Sequence, residues 1–315
     1  MTSQSRFQHF DRLQAACQNQ PPLPTAVACP NNAPSLAGVL EAVEAGLIAP
    51  ILVGEPDRIH AAATTLGIAT DRFPIVAATN EAEAAARAVE QVHAGKAAAV
   101  MKGNLHSDVL LGAVVKRATG LRTDTRLSHI FVTDMPGFDR LVAITDGALN
   151  IAPDINSRAD IIENAGLLAR AYGVAIPKVA VLSAIETVNP AIQSSADAAE
   201  IAALTMQGRF KGLQVDGPLA MDNAISAEAA KIKGIDSPVA GHADVLAVPT
   251  IECGNMVVKA LTFIAGAESA GIIMGAQVPV MLTSRADSPL ARRISCVLAV
   301  LVAHYNQTGK SLLAS

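Results

Sequence analysis

The chain has 315 residues, about half of them apolar, 17% charged, with a formal net charge of −4. That composition supports a large buried core and excludes a disordered chain. No basic stripe is present, which excludes a nucleic-acid surface, and no uncharged apolar run reaches the roughly 18 residues of a membrane span. Aromatics are only 3% and Trp is absent, so packing must rely on aliphatic side chains, with Ala and Gly letting helices come close.

In chain order, residues 1–24 are polar and end in Pro21-Pro22-Leu23-Pro24, which predicts a leading helix and a stiff connector. Residues 25–30 form the first predicted strand. Ser35 is the expected N-cap of a helix over 36–48. A strand over 50–54 is followed by a helix from Pro56, at the favoured first helical position, to near Gly67. A short strand over 74–77 precedes an Ala- and Glu-rich helix over 81–93 that stops at Gly95. Residues 97–101 form a strand leading into Lys102-Gly103-Asn104-Leu105-His106, with Ser107 and Asp108 capping a helix to Gly120. Strands alternating with helices of this length predict a parallel sheet covered on both faces.

The pattern then changes. Residues 128–134 and 140–145 are apolar runs joined by Met135-Pro136-Gly137-Phe138-Asp139, which predicts an antiparallel pair. An extended loop over 146–154 and a helix over 157–172 follow. Strands are expected at 178–182, 213–216, 244–249 and 270–274, with a helix over 195–207. Residues 250–255 are expected to connect to a helix over 256–266. Near the end, the apolar run from Val278 stops at Thr283-Ser284-Arg285-Ala286-Asp287-Ser288, and a helix is predicted over 288–307.

Polar groups gather where predicted strands end. Lys102-Gly103 follow one, Ser183 a second, Thr250 to Asn255 a third, and Ser284-Arg285 a fourth. Carboxyl ends of parallel strands share one sheet edge, so these groups can converge on one ligand site. Bland readings stand beside the functional ones. Ser288 or Asp287 can simply cap a helix, Lys102 can be a solvated lysine, and Gly254 can be only a turn before a helix. Cys253 is a candidate nucleophile or a small buried residue. His106, His129 and His242 lack ligand spacing, and no metal is expected. No GxGxxG follows the first strand, and neither a P-loop nor a GxSxG elbow is present, which counts against dinucleotide, P-loop and α/β-hydrolase sites. The four cysteines show no CxxC pair and read as free thiols. With no basic-then-apolar leader, a cytoplasmic protein is expected.

An ordered set of motifs carries a family resemblance over about residues 97–300. It comprises Met101-Lys102-Gly103, the stretch from Ile144-Thr145-Asp146-Gly147 to Pro153, and Lys178 to Ser183. It continues with Asp216-Gly217-Pro218-Leu219 and Asp222, Ser237 to Gly241, Gly254-Asn255 with Lys259, and Ser284-Arg285. In these the chain resembles the phosphate acetyl/butyryltransferase family. The resemblance implies two α/β domains flanking a cleft, isocitrate/isopropylmalate dehydrogenase-like, with residues 1–133 plus 271–315 as the first and 134–270 as the second. It implies a homodimer joined through the second domain. It also implies reversible acyl transfer, acyl-CoA + phosphate ⇌ acyl phosphate + CoA, with coenzyme A as substrate, no permanently bound cofactor and no covalent enzyme intermediate.

The implied roles fit the chemistry. Arg285 can hold phosphate bidentately. Ser284 can donate to the thiolate or to the oxyanion at the acyl carbon, and loop amides near Gly254 and Asn255 can add donors. Lys102, Gly103, Ser183 and Lys259 complete the expected substrate-binding set. An unperturbed thiol has a pKa near ~8.5, so a carboxylate base helps. The acetyltransferase pattern places an Asp seven positions after the Ser, but here that position is Ala291. Asp287 is therefore the expected base or orienting group, in a butyryltransferase-like Ser-Arg-Ala-Asp-Ser form. Two other readings compete: a β-decarboxylating dehydrogenase on the same architecture and a non-catalytic CoA-binding protein. The sequence lacks the first's paired metal-binding aspartates.

Overall fold

The computed structural model of the protein describes residues 6–282 and 287–313. The elements run in the order α1 (Gln8–Cys17), β1 (Leu23–Ala28), α2 (Ala33–Glu44), β2 (Ile48–Gly54), α3 (Pro56–Thr65), β3 (Ile75–Ala77), α4 (Glu81–His93), β4 (Ala99–Lys102) and α5 (Ser107–Val114). Next come β5 (Ser128–Asp134), β6 (Val142–Thr145), α6 (Ile155–Ala171), β7 (Lys178–Leu182), α7 (Gln193–Ala203), β8 (Gln214–Leu219), α8 (Met221–Ile225) and α9 (Ala227–Ile232). The chain ends with β9 (Val245–Ala247), α10 (Ile251–Phe263), β10 (Glu268–Met274), β11 (Val280–Met281) and α11 (Pro289–Thr308). Among the described residues no helix is long and apolar enough to cross a membrane.

These elements form a mixed α/β fold in two compact units. The first holds Arg12–Asp124 and Ala270–Leu312, and the second holds Thr125–Ser269 with the described residues before Arg12. In the first unit the strands lie in the order β3-β2-β1-β4-β11-β10. The pairs from β3 to β11 are parallel, and β10 runs antiparallel to β11. In the second the order is β5-β6-β9-β7-β8, with β5 antiparallel to β6 and the other pairs parallel. Residues 125–133 and the described residues before Arg12, expected in the first domain, lie in the second unit, and Ile130 to Thr133 pair there with Thr145 to Val142.

Helix boundaries follow local chemistry where it is strong. α4 begins after Asn80, whose side chain accepts a bond from the Glu83 amide, as an N-cap should. α2 is capped by Asn32 rather than Ser35. Pro34 is tolerated in a first turn, so the helix starts earlier than expected. α5 ends at Val114 rather than near Gly120, and α10 starts at Ile251, five residues before the expected Met256. The apolar run from Val278 contributes only Val280 and Met281 to the ladder. The short helices α8 and α9 were not anticipated. The core is aliphatic as expected. In the second unit Val142, Ile144, Leu182, Leu219, Leu246 and Val258 pack in one buried cluster.

Candidate active site

In the first unit β2 lies on one side of β1 and β4 on the other. The carboxyl ends of β1 and β4 therefore flank a topological switch point, the usual ligand position in a parallel sheet. The chain is built tightly here. Cys29, just past β1, has a left-handed backbone with φ of 55°, uncommon for a residue other than Gly. Its amide donates to the Val53 carbonyl at 2.7 Å, and its own carbonyl accepts the Asn104 amide at 2.7 Å. A Cβ on Gly103 would stand 2.5 Å from the carbonyl oxygens of Ala28 and Cys29. Only glycine lets the β4 loop lie against the β1 loop. Across this contact Asn104 Nδ2 donates to Asn31 Oδ1 at 3.0 Å.

A cavity of about 420 Å³ lies at this edge, its wall including Glu81, Lys102, Asn104, His106, Ser107 and Leu282. Lys102 is half-buried, and its Nζ donates to the carbonyls of Gly103 and Leu105, both at 3.3 Å. Glu81 is the first residue of α4, and its Oε2 accepts the His106 amide at 3.4 Å. Burial, with the negative charges of Glu81 and Glu55 adding to it, pushes the Cys29 thiol up to about 11. That thiol stays protonated near neutral pH and is no nucleophile.

Leu282 is the last described residue before the Ser284-Arg285 stretch, and Ser284 and Arg285 themselves lie outside the described residues. Beyond them, Ser288 Oγ accepts the Ala291 amide at 2.9 Å and caps α11. The Asp287 carbonyl accepts a bond from Arg292 Nη1 at 2.8 Å.

The remaining expected residues belong to the second unit. Asp146, just past β6, is buried and organises the loop that follows. Its Oδ1 accepts the amides of Ala148 and Leu149, both at 2.9 Å. Its Oδ2 accepts the His129 amide at 3.1 Å and Asn150 Nδ2 at 2.7 Å. The first turn of α10 packs on this loop. A Cβ on Gly254 would fall 2.6 Å from the Asp146 carbonyl oxygen and 2.8 Å from Gly147 Cα. Asn255 Nδ2 donates to the Gly147 carbonyl at 3.3 Å.

This placement corrects the expectation of free loop amides around Gly254. The Gly254 amide already donates to the Thr250 carbonyl at 3.2 Å inside the helix. Gly254 permits close approach rather than making a turn. Cys253 is likewise a helical, half-buried residue, with the Thr250 hydroxyl 3.6 Å from its sulfur. Ser183, just past β7, is buried, and its hydroxyl lies 2.9 Å from that of Ser194. Lys259 is on the exposed side of α10, between Met256 and Phe263.

The structure thus brings Lys102 and Gly103 to one cavity edge, and Gly254 and Asn255 to the Asp146 loop. Ser183 and Lys259 join neither group. Glu81 went unremarked in the sequence because it reads only as an acidic helix start. Asn31 and Asn104 carry no local signal, since their pairing spans 73 positions.

The sequence pattern of the phosphate acetyl/butaryl transferase family matches residues 73–300. The chain is 47% identical over 294 residues to a phosphate acetyltransferase of Rhizobium meliloti, covering 93% of each chain. It is 42% identical over 278 residues to a phosphate butyryltransferase of Clostridium acetobutylicum, covering 88% of this chain and 92% of the relative. A solved branched-chain phosphotransacylase from Enterococcus faecalis V583 superposes with a TM-score of 0.78 at 32% identity, over 89% of this chain and 99% of that one. A family pattern that matches residues 73–300 and relatives 42–47% identical over most of both chains lead to one conclusion: the chain belongs to the phosphate acetyl/butaryl transferase family.

Proposed function

We propose that the protein transfers a short acyl group reversibly between coenzyme A and inorganic phosphate, by direct attack of the CoA thiolate on acyl phosphate in a ternary complex. The observation that carries this reading is the 47% identity, over 93% of both chains, to a phosphate acetyltransferase. The relatives' names divide between acetyl and butyryl, so both acyl groups belong in the assay.

In this reading Arg285 clamps the phosphate and Ser284 donates to the developing oxyanion. Asp287 is the base or an orienting group. Lys102 supplies positive charge at its cavity and Gly103 the room for it. Gly254 and Asn255 act by seating α10 on the Asp146 loop, not as free amide donors. Ser183 and Lys259 remain substrate contacts by resemblance alone. Holding both substrates together supplies much of the acceleration through positioning.

The proposal includes the finer architecture, two domains of the isocitrate/isopropylmalate dehydrogenase type, and a cytoplasmic home. It also includes a homodimer. Met256, Phe263 and Ile264, at 62%, 82% and 86% exposure, offer an apolar strip along α10 and just past its end, of the kind that oligomers cover. Phe263→Glu is expected to shift the mass from dimer to monomer in light scattering. A monomeric parent protein would remove the dimer from the proposal.

The test of the activity is a panel of acetyl-, butyryl- and branched-chain acyl-CoA with and without phosphate. Phosphate-dependent CoA release is expected with at least one, and its absence with all would sink the reading. Arg285→Ala is expected to lose at least about 100-fold in kcat, the scale of a lost transition-state donor, and Ser284→Ala less. Parental rates in Arg285→Ala would remove the clamp role.

A further inference from the structure

We infer that Glu81 takes the proton from the coenzyme A thiol during acyl transfer, an assignment that rests on the acyl-transfer reading above. Glu81 lines the same switch-point cavity as Lys102, and Leu282 at the carboxyl end of β11 lines it too. Its backbone is fixed at the first position of α4, behind the Asn80 cap. Among the described residues its Oε1 accepts no hydrogen bond, and its Oε2 accepts only the His106 amide at 3.4 Å. A carboxylate held on a rigid element, on the wall of a cavity that a lysine also lines, with acceptor capacity to spare, is suited to receive a proton.

Asp287 directly precedes the α11 cap, and its backbone carbonyl accepts a bond from Arg292.

The step balances without a further reactant. The S–H bond of CoA breaks and the proton moves to the Glu81 carboxylate. The sulfur electron pair forms the S–C bond at the acyl carbon. The C–O bond to phosphate breaks, phosphate leaves with the electron pair of that C–O bond, and the proton passes from Glu81 to the departing phosphate or to water. Lys102 offsets the negative charge while the thiolate forms. In reverse, protonated Glu81 donates to the leaving sulfur. A carboxylate is a weaker base than a thiolate, so the transfer is concerted with attack. Its benefit is greatest where free thiolate is scarce.

Charged and titratable groups surround Glu81. Lys102 and His106 share its cavity. Cys29 lies within electrostatic range of it, and Glu55 and Arg58 at the start of α3 act on the same thiol.

Glu81→Gln, assayed as acyl phosphate plus CoA across pH 6 to 9, tests the inference. At pH 6.5 a loss of at least about 100-fold in kcat is expected, the usual scale of general-base catalysis. It should shrink below about 10-fold at pH 9, where far more of the CoA is thiolate before binding. Glu81→Ala with added formate provides a second readout, since a missing base is restored by a small carboxylate and a structural defect is not. A deficit equal at every pH and unmoved by formate overturns the inference, as does parental activity in Glu81→Gln. A parent protein that transfers no acyl group overturns the acyl-transfer reading itself, whereas an active parent with a silent Glu81→Gln overturns only the role of Glu81.

Discussion

Gly254→Ala probes whether α10 truly begins at Ile251 and rests on the loop after β6. The added Cβ would meet the Asp146 carbonyl oxygen at 2.6 Å, Gly147 Cα at 2.8 Å and Val248 Cγ2 at 3.0 Å. Two of these are main-chain atoms, and the Asp146 carboxylate pins that loop with four accepted hydrogen bonds. The loop cannot retreat cheaply, so the overpacking cost belongs near the upper end of the usual range, about 3 kcal/mol. Against it stands the gain from replacing a helical Gly by Ala, about 1 kcal/mol. The net loss is about 2 kcal/mol, or about 4–8 °C in the melting of a unit of this size. Differential scanning calorimetry at matched protein concentration reads the shift. Gly112→Ala in α5 is the control, because a Cβ there has nothing within 4 Å, so propensity alone acts and the melting point holds or rises. If Gly254→Ala melts at or above the parent, as Gly112→Ala does, the close contact between α10 and the Asp146 loop is refuted.

Asp146→Ala leaves the amides of His129, Ala148 and Leu149 and the Asn150 side chain without their acceptor. A loss of at least about 3 kcal/mol is expected from denaturant unfolding, since a buried charged acceptor is removed, and a change below 1 kcal/mol contradicts the loop's dependence on it. Burial lowers the His129 pKa from 6.5 to about 4, with the Asp146 charge opposing. The unfolded chain therefore takes up a proton that the folded chain refuses between those values. Stability is full above about pH 6.5 and falls as pH drops toward 4. Because His129 Nδ1 is buried without a partner among the described residues, His129→Leu should flatten that slope in urea titrations at several pH values, and an unchanged slope would assign the acid sensitivity elsewhere. Ser288→Ala removes the side-chain acceptor for the Ala291 amide. It should cost about 1 kcal/mol, and no shift in melting would show the cap to be replaceable.

What the sequence disclosed and what it hid divide along a physical line. Signals acting within a few residues were legible: Pro56 opens α3, and the Ala- and Glu-rich segment over 81–93 is α4. The antiparallel turn at Pro136-Gly137 also stands, because its two strands lie next to each other in the chain. The start of α10 was not legible, since Gly254-Asn255 reads locally as a breaker. Its partner, Gly147, lies 108 positions away from Asn255. Neither was the short extent of β11, where partners on both sides rather than apolar composition set the ladder.

The candidate site divides in the same way. Lys102 was visible because a strand ends there, and Gly103 because it follows. Their reason for being there was hidden, since it lies in the carbonyls of Ala28 and Cys29 on another strand. Glu81 illustrates the limit most clearly. On α4 alone it is an acidic residue favourably placed at a helix N-terminus, which explains its presence without any ligand. Only the parallel register, which sets the ends of β3, β4 and β11 along one edge, brings that helix start to the wall that Lys102 and Leu282 share. Its two uses make different demands. The helix terminus asks only for a negative charge, which Asp could supply, whereas proton transfer depends on the reach of the longer side chain. Glu81→Asp should therefore preserve the melting point while lowering kcat in the CoA-acylating direction, and equal loss of both would mean that the helix start is all that Glu81 serves.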